Sequence, residues 1–245
     1  MSNAMRQVID LNTYFGVYPR RNVDYSPEAL RRLMEENGVS KAVTVSLKGV
    51  LYDHVEGNAE TLSECAGDGG LVPAATIDPR KYTGQNAEVE QLKERGFKLV
   101  RLFPEFQGWP MSYSPVRSIA KAMQDVNLPL MVNTTAYGSA TDLVRMTEGC
   151  TFPIILSGVG YWTLSEAVVL MKEKENIFLE SSHLDSPDAI ETIVGQVGVD
   201  RILFGSNAPV TYFRGPYLTV TNSDVSDKDK EMILHWNALR ILGSV

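Results

Sequence analysis

One pattern constrains this chain more than any other. A short, largely apolar run is followed by a helical segment, and the unit recurs eight times. The runs are 8–11, 41–46, 71–77, 98–103, 128–132, 153–157, 176–180 and 201–204. They are apolar throughout rather than at every second position, as strands buried on both faces require. The helical segments carry start and stop signals. Ser26-Pro27-Glu28 opens the first and Gly38 ends it; Ser114-Pro115 and Ser186-Pro187-Asp188 open later ones, and a last helix is expected over 226–242. Strand–helix alternation with short links predicts a parallel α/β sheet. Eight such units in 245 residues predict one closed (β/α)8 TIM barrel over 5–245. An open doubly wound sheet would want a glycine-rich turn after the first strand. Asn12-Thr13-Tyr14-Phe15-Gly16 is not one. Residues 1–4 (MSNA) read as an expression-tag remnant and are set aside.

Composition narrows the partners. A formal net charge of −7 argues against nucleic acid and against an anionic membrane, and no apolar run approaches a membrane span. Cys65 and Cys150 form neither a zinc spacing nor a disulfide framework. A cytoplasmic protein with a small-molecule ligand or substrate is the expectation, and a homodimer is the assembly considered.

In a TIM barrel the chemistry gathers at the carboxyl ends of the strands. There the sequence places Asn12 and Tyr14, then Tyr52, Asp53 and His54, then Asp78. Arg101, Glu105 and Trp109 follow the fourth strand, Asn133 the fifth, Ser157 and Gly158 the sixth, Glu180 and His183 the seventh, and Ser206 and Asn207 the eighth. Strand alternation puts Asp10, Asn12 and Tyr14 on one face. His54 reads first as a solvated loop histidine and second as a general base. For His183, a loop or capping role stands level with that of a base oriented by Glu180. A buried Arg101 needs an anion. An internal bridge to Glu105, Asp10 or Glu180 is slightly favoured over a ligand carboxylate held by two parallel hydrogen bonds. Tyr14, Tyr52, Trp109, Tyr113, Tyr137, Tyr161 and Trp162 either wall a pocket or simply cover the mouth.

A resemblance runs from Val8 to Leu242. Its marks are Val8-Ile9-Asp10, Gly57-Asn58, Ala75-Thr76-Ile77-Asp78-Pro79, Gly96-Phe97-Lys98-Leu99-Val100-Arg101-Leu102-Phe103-Pro104, Leu128-Pro129-Leu130, Arg201-Ile202-Leu203-Phe204-Gly205-Ser206 and Asn237-Ala238. In that order they resemble the amidohydrolase-related branch of the amidohydrolase superfamily, metal-dependent TIM-barrel hydrolases and decarboxylases. The resemblance implies paired histidine ligands where this chain has Asn12 and Tyr14. It implies further ligands where the chain has Asn133, Gly158 and Asn207, the last in place of an aspartate that also moves the proton. A zinc site needs imidazole, thiolate or carboxylate donors, and none of these positions supplies one. No metal or other cofactor is therefore expected. The alternative is a divalent metal such as zinc at a different site, built from His54, Glu105, Glu180 and His183.

Three functions follow as expectations. The first is a member of that family, a pseudoenzyme in the metal-dependent sense, that binds a small carboxylated molecule through Asn12, Tyr14, Arg101, Glu105, Trp109, Asn133 and Asn207. The second is a metal-independent hydrolase of lactones or esters, with His183 or His54 as base, Glu180 orienting it and Arg101 clamping the anion. The resemblance allows this, because the family includes lactonases that work without a metal. The third is a non-catalytic scaffold whose mouth is plugged by Tyr14 and the 206–222 segment.

Overall fold

A computed structural model describes residues 7–19, 21–84 and 86–243. The proposed tag remnant at 1–4 lies outside them. Eight strands run in parallel in the order of the sequence: β1 Val8–Phe15, β2 Val39–Ser46, β3 Leu71–Thr76, β4 Leu99–Leu102, β5 Leu130–Asn133, β6 Ile154–Ser157, β7 Ile177–Glu180 and β8 Ile202–Leu203. Helices alternate with them, so the (β/α)8 barrel is the observed fold. The first helix, Pro27–Asn37, starts and stops where its signals stand. Ser26 Oγ accepts from the Ala29 N–H at 3.2 Å, and Gly38 takes the left-handed conformation at φ 66°.

Two apolar layers divide the strand residues. Ile9, Leu11, Val43, Val45, Val72, Ala74, Leu99, Met131, Ile155 and Leu203 fill the barrel interior. Val100, Leu102, Leu130, Val132, Ile154, Leu156, Ile177 and Leu179 pack outward against the helices. The period of two then dictates what comes next on the inner side. Two residues beyond Leu99, Met131, Ile155, Phe178 and Leu203 stand Arg101, Asn133, Ser157, Glu180 and Gly205. The apolar interior thus ends in a polar layer toward the carboxyl ends of the strands.

The seam between β8 and β1 is irregular. β8 is two residues long, and no strand ladder joins it to β1 among the described residues. Instead the Leu11 N–H donates to the Phe204 carbonyl and the Tyr14 N–H to that of Ala208, both at 3.0 Å. The register of β1 shifts between Asp10 and Thr13. That shift overturns the expected common face of Asp10, Asn12 and Tyr14. Asp10 turns to Ser206, while Asn12 and Tyr14 meet in the barrel centre.

The C-terminal helix departs from the continuous one expected. It runs as an α-helix over Asp227–Glu231, a π-helical turn over Met232–Trp236 and an α-helix over Asn237–Leu242. The wide turn coincides with a tie to β8, where the Phe204 N–H donates to the Ile233 carbonyl at 3.0 Å. Among the described residues no helix is long and apolar enough to cross a membrane.

Candidate functional site

Arg101 is the centre of the polar layer. It is 1% exposed, and a guanidinium so far from water must find its hydrogen bonds inside. Its Nη2 donates to Asn12 Oδ1 and to the Tyr14 hydroxyl, each at 2.6 Å, and its Nη1 to the Thr13 carbonyl at 3.2 Å. The cation also faces the rings of Tyr14 and Phe103, 4.4 and 4.9 Å from their centroids. Its Nε has no partner among the described residues.

The anionic partner comes through an intermediary. No carboxylate forms an ion pair with Arg101 among the described residues, so the expected direct bridge to Glu105, Asp10 or Glu180 is not made. The Asn12 carboxamide stands between opposite charges. Its oxygen accepts from Arg101 while its nitrogen donates to Glu180 Oε2 at 2.9 Å. An amide is well suited to this place, because one end accepts and the other donates.

Glu180 is buried and saturated. It accepts from Asn12, from Ser157 Oγ at 2.7 Å, from Ser182 Oγ at 2.9 Å and from the Ser182 N–H at 2.6 Å. Its space depends on a missing side chain. A Cβ at Gly205 would lie 2.2 Å from Glu180 Oε1 and 2.8 Å from Asn12 Cβ. The pair expected between Glu180 and His183 exists only through Ser182, whose Oγ lies 2.8 Å from His183 Nδ1. Since Ser182 gives its proton to Glu180, it accepts from an Nδ1–H of His183. That leaves Nε2 of a neutral imidazole with a free lone pair.

Tyr14 closes the group. Burial holds its hydroxyl above the usual phenol range, and the neighbouring Arg101 charge only partly offsets this. It therefore stays a neutral phenol, 1% exposed.

Asp10 forms a second centre at the seam. It accepts from the Asn12 and Ser206 N–H groups at 3.1 and 2.9 Å, and from Ser206 Oγ at 2.5 Å. Burial nevertheless outweighs these donors and pushes its carboxyl up to about 7.

The remaining candidates lie elsewhere. His54, 6% exposed, is not the solvated loop residue expected; its Nε2 sits 2.6 Å from Glu88 Oε1. Glu105, Trp109 and Asn133 line a cleft of about 200 Å³ with Pro104, Met111 and Thr135. Trp109 is fixed there by its indole N–H, which donates to Gln107 Oε1 at 2.8 Å. Asn207 is nearly buried at the seam with φ 58°, and its carbonyl accepts from the Thr211 N–H. Phe213 and Tyr217, from the segment expected to plug the mouth, stack on each other and meet Phe204 edge-on in the outer layer. Ser157 and Ser182 stand among the residues that follow strands six and seven, but the sequence assigns them no role. Phe103 and Gly205 are not marked as site residues, although Gly205 lies two positions beyond the inward-facing Leu203.

The four residues of the alternative metal site do not come together. Among the described residues no three or more His, Cys, Asp or Glu side chains are grouped to hold a metal ion.

Comparison with known proteins follows the same lines. A family profile described as amidohydrolase matches residues 6–244. A search of the curated proteins returned no match. Among solved structures, a TIM-barrel protein from Bordetella bronchiseptica superposes with a TM-score of 0.77 at 16% identity, over 96% of this chain and 98% of that one. 5-Carboxyvanillate decarboxylase from Sphingomonas paucimobilis gives 0.73 at 13%, over 98% and 100%. A dihydroxybenzoic acid decarboxylase from Polaromonas, with bound manganese and the inhibitor 2-nitroresorcinol, gives 0.75 at 16%, over 97% of each chain. At these identities the likeness shows the fold alone.

Proposed function

The chain belongs to the amidohydrolase family, and from that premise we propose that its barrel mouth is a small-molecule site organised around an internal guanidinium instead of a metal ion. The observation that carries this reading is the Asn12 carboxamide bridging Arg101 and Glu180. A divalent metal does not fit these donors. Both ends of Asn12 are in use, Tyr14 is a neutral phenol that accepts from Arg101, and the remaining ligand positions are Asn133, Gly158 and Asn207. A permanent cation in the same space would also repel a second one. The expected carboxylate clamp drops out of the reading. Both terminal nitrogens of Arg101 already donate within the barrel, and the guanidinium is 1% exposed, so its unpartnered Nε–H is shut away from a ligand anion arriving from solvent.

Metal analysis after expression in zinc- and manganese-supplemented medium tests this. The expected result is far less than one metal per chain and a melting temperature unmoved by EDTA. A tightly held stoichiometric metal would sink the reading.

One contact favours a second reading, metal-independent hydrolysis of a lactone or ester. The Glu180–Ser182–His183 chain orients an imidazole just beyond β7, and membership of an amidohydrolase family is consistent with hydrolysis. Neutral His183 would take a proton from the attacking water through Nε2. Glu180, through Ser182, would stabilise the imidazolium that forms. His183→Ala should then lower kcat by about 10²–10⁴-fold while KM holds. Unchanged turnover would remove His183 from the mechanism.

A further inference from the structure

Glu105 stands apart from the other carboxylates near the barrel mouth. Asp53 is paired with Lys81, Asp78 with Arg80, and Glu88 meets His54. Glu180 is saturated within the barrel. Glu105 is exposed and makes no ion pair or hydrogen bond among the described residues. It also lines two clefts, the one with Trp109 and a larger one of about 540 Å³. The larger cleft is formed by Tyr18, Pro19, Leu51, Tyr52, Glu105 and Phe106. Three of these are aromatic, and two are left open to water, with Tyr52 61% and Phe106 37% exposed.

A carboxylate with no partner among the described residues, sharing a cleft with open aromatic rings, has the chemistry that recognises an organic ammonium ion. Tyr18 is already occupied, stacked on Tyr25 with the Arg21 guanidinium 5.9 Å from its centroid. The open rings are therefore Tyr52 and Phe106; they offer π-systems to a cation, and the carboxylate supplies the opposite charge. Small inorganic cations suit such walls poorly, because Mg²⁺ and Ca²⁺ ask for several oxygen ligands and keep their water. An anionic ligand would meet repulsion from Glu105, with Arg101 enclosed below. We propose that the cleft at Glu105 binds a small organic ammonium group, a primary amine or a quaternary ammonium, as the charged end of the molecule held at the mouth. This names the ligand class for the small-molecule site proposed above and rests on that reading.

Isothermal titration of the full chain with benzyltrimethylammonium, with benzoate and Mg²⁺ as controls, tests the assignment. The cation should bind with saturable heat, and benzoate and Mg²⁺ should not. Glu105→Gln should weaken cation binding at least tenfold and Tyr52→Ala severalfold. Since both side chains are exposed, neither variant should lower the melting temperature appreciably. No binding of the cation, equal binding by Glu105→Gln, or benzoate binding as tightly as the cation would each overturn it. Metal content measured on the same sample keeps the two readings separate. A stoichiometric metal would overturn the metal-free site but not a cation isotherm lost in Glu105→Gln, whereas a silent titration on metal-free protein would overturn only the ammonium assignment.

Discussion

At the scale of single residues, the question is how a buried arginine and a buried glutamate coexist without touching. Each alone would be costly to bury. Asn12 couples them by accepting from one and donating to the other, and Arg101 gains further from two aromatic faces. The coupling should be measurable. Arg101→Met leaves Glu180 as an uncompensated buried charge and should cost about 3–5 kcal/mol, the range for breaking a buried pair. Glu180→Gln in that background should cost much less than it does alone, because the charge it removes is already stranded. A double-mutant cycle by urea unfolding should return a coupling of about 1–3 kcal/mol. Additive costs would show that Asn12 transmits nothing. The sequence already marked Arg101 as a buried cation in need of an anion. It did not show that the link would pass through Asn12, because the family pattern presents that position only as a missing ligand. The link depends on the register shift in β1, a backbone irregularity that no residue type announces.

At the scale of elements, the seam between β1 and β8 carries the unusual energetics. Eight strands in sequential order were legible from apolar runs and helix caps alone. The weakness of the eighth was not, since 201–204 reads as strongly apolar as the others. β8 pairs with β7 but meets β1 mainly through loop contacts and the Asp10 carboxyl. Asp10 takes up the Asn12 and Ser206 N–H groups that a regular ladder would have paired. Its carboxyl titrates near 7 in the folded barrel against 3.8 for the ordinary group, so the folded chain holds this proton more tightly than the unfolded one. The resulting stabilisation is complete below about pH 4 and is lost as pH rises through about 7. Unfolding free energy should therefore decline across that window by the release of about one proton. Asp10→Asn, permanently neutral, should flatten the decline. Urea unfolding at several pH values from 5 to 8 checks it, and an equal slope in the variant would show that another group is responsible. Asp53, held at about 2 by the Glu56 N–H and by Lys81, works in the opposite direction only at lower pH.

At the scale of the whole molecule, the barrel has an apolar interior closed by charge at one end and strapped at its weakest edge by the C-terminal helix. The strap joins two parts of the structure. The Phe204 N–H of the seam donates to the Ile233 carbonyl, and Asn237 Nδ2 donates to the Val199 and Ile202 carbonyls, both at 2.8 Å. Ile233 and Leu234 are buried in the outer layer, and Ala238 and Leu242 in the inner one. Burial of Ile233, Leu234 and Leu242 at about 1.5–3 kcal/mol each gives about 5–9 kcal/mol. That is comparable with the whole stability of a typical domain, about 5–15 kcal/mol. Removal of residues 227–243 should therefore do more than loosen an end. It leaves two carbonyls and an N–H at β8 without their partners, and β8 in turn positions Gly205 against Glu180 and Asn12. The truncated chain should lose cooperative thermal unfolding, bind a hydrophobic dye and lose the near-ultraviolet circular dichroism of its packed aromatics. A truncated chain that keeps a sharp transition and that spectrum would mean the barrel holds its own seam, leaving the helix as packing rather than closure.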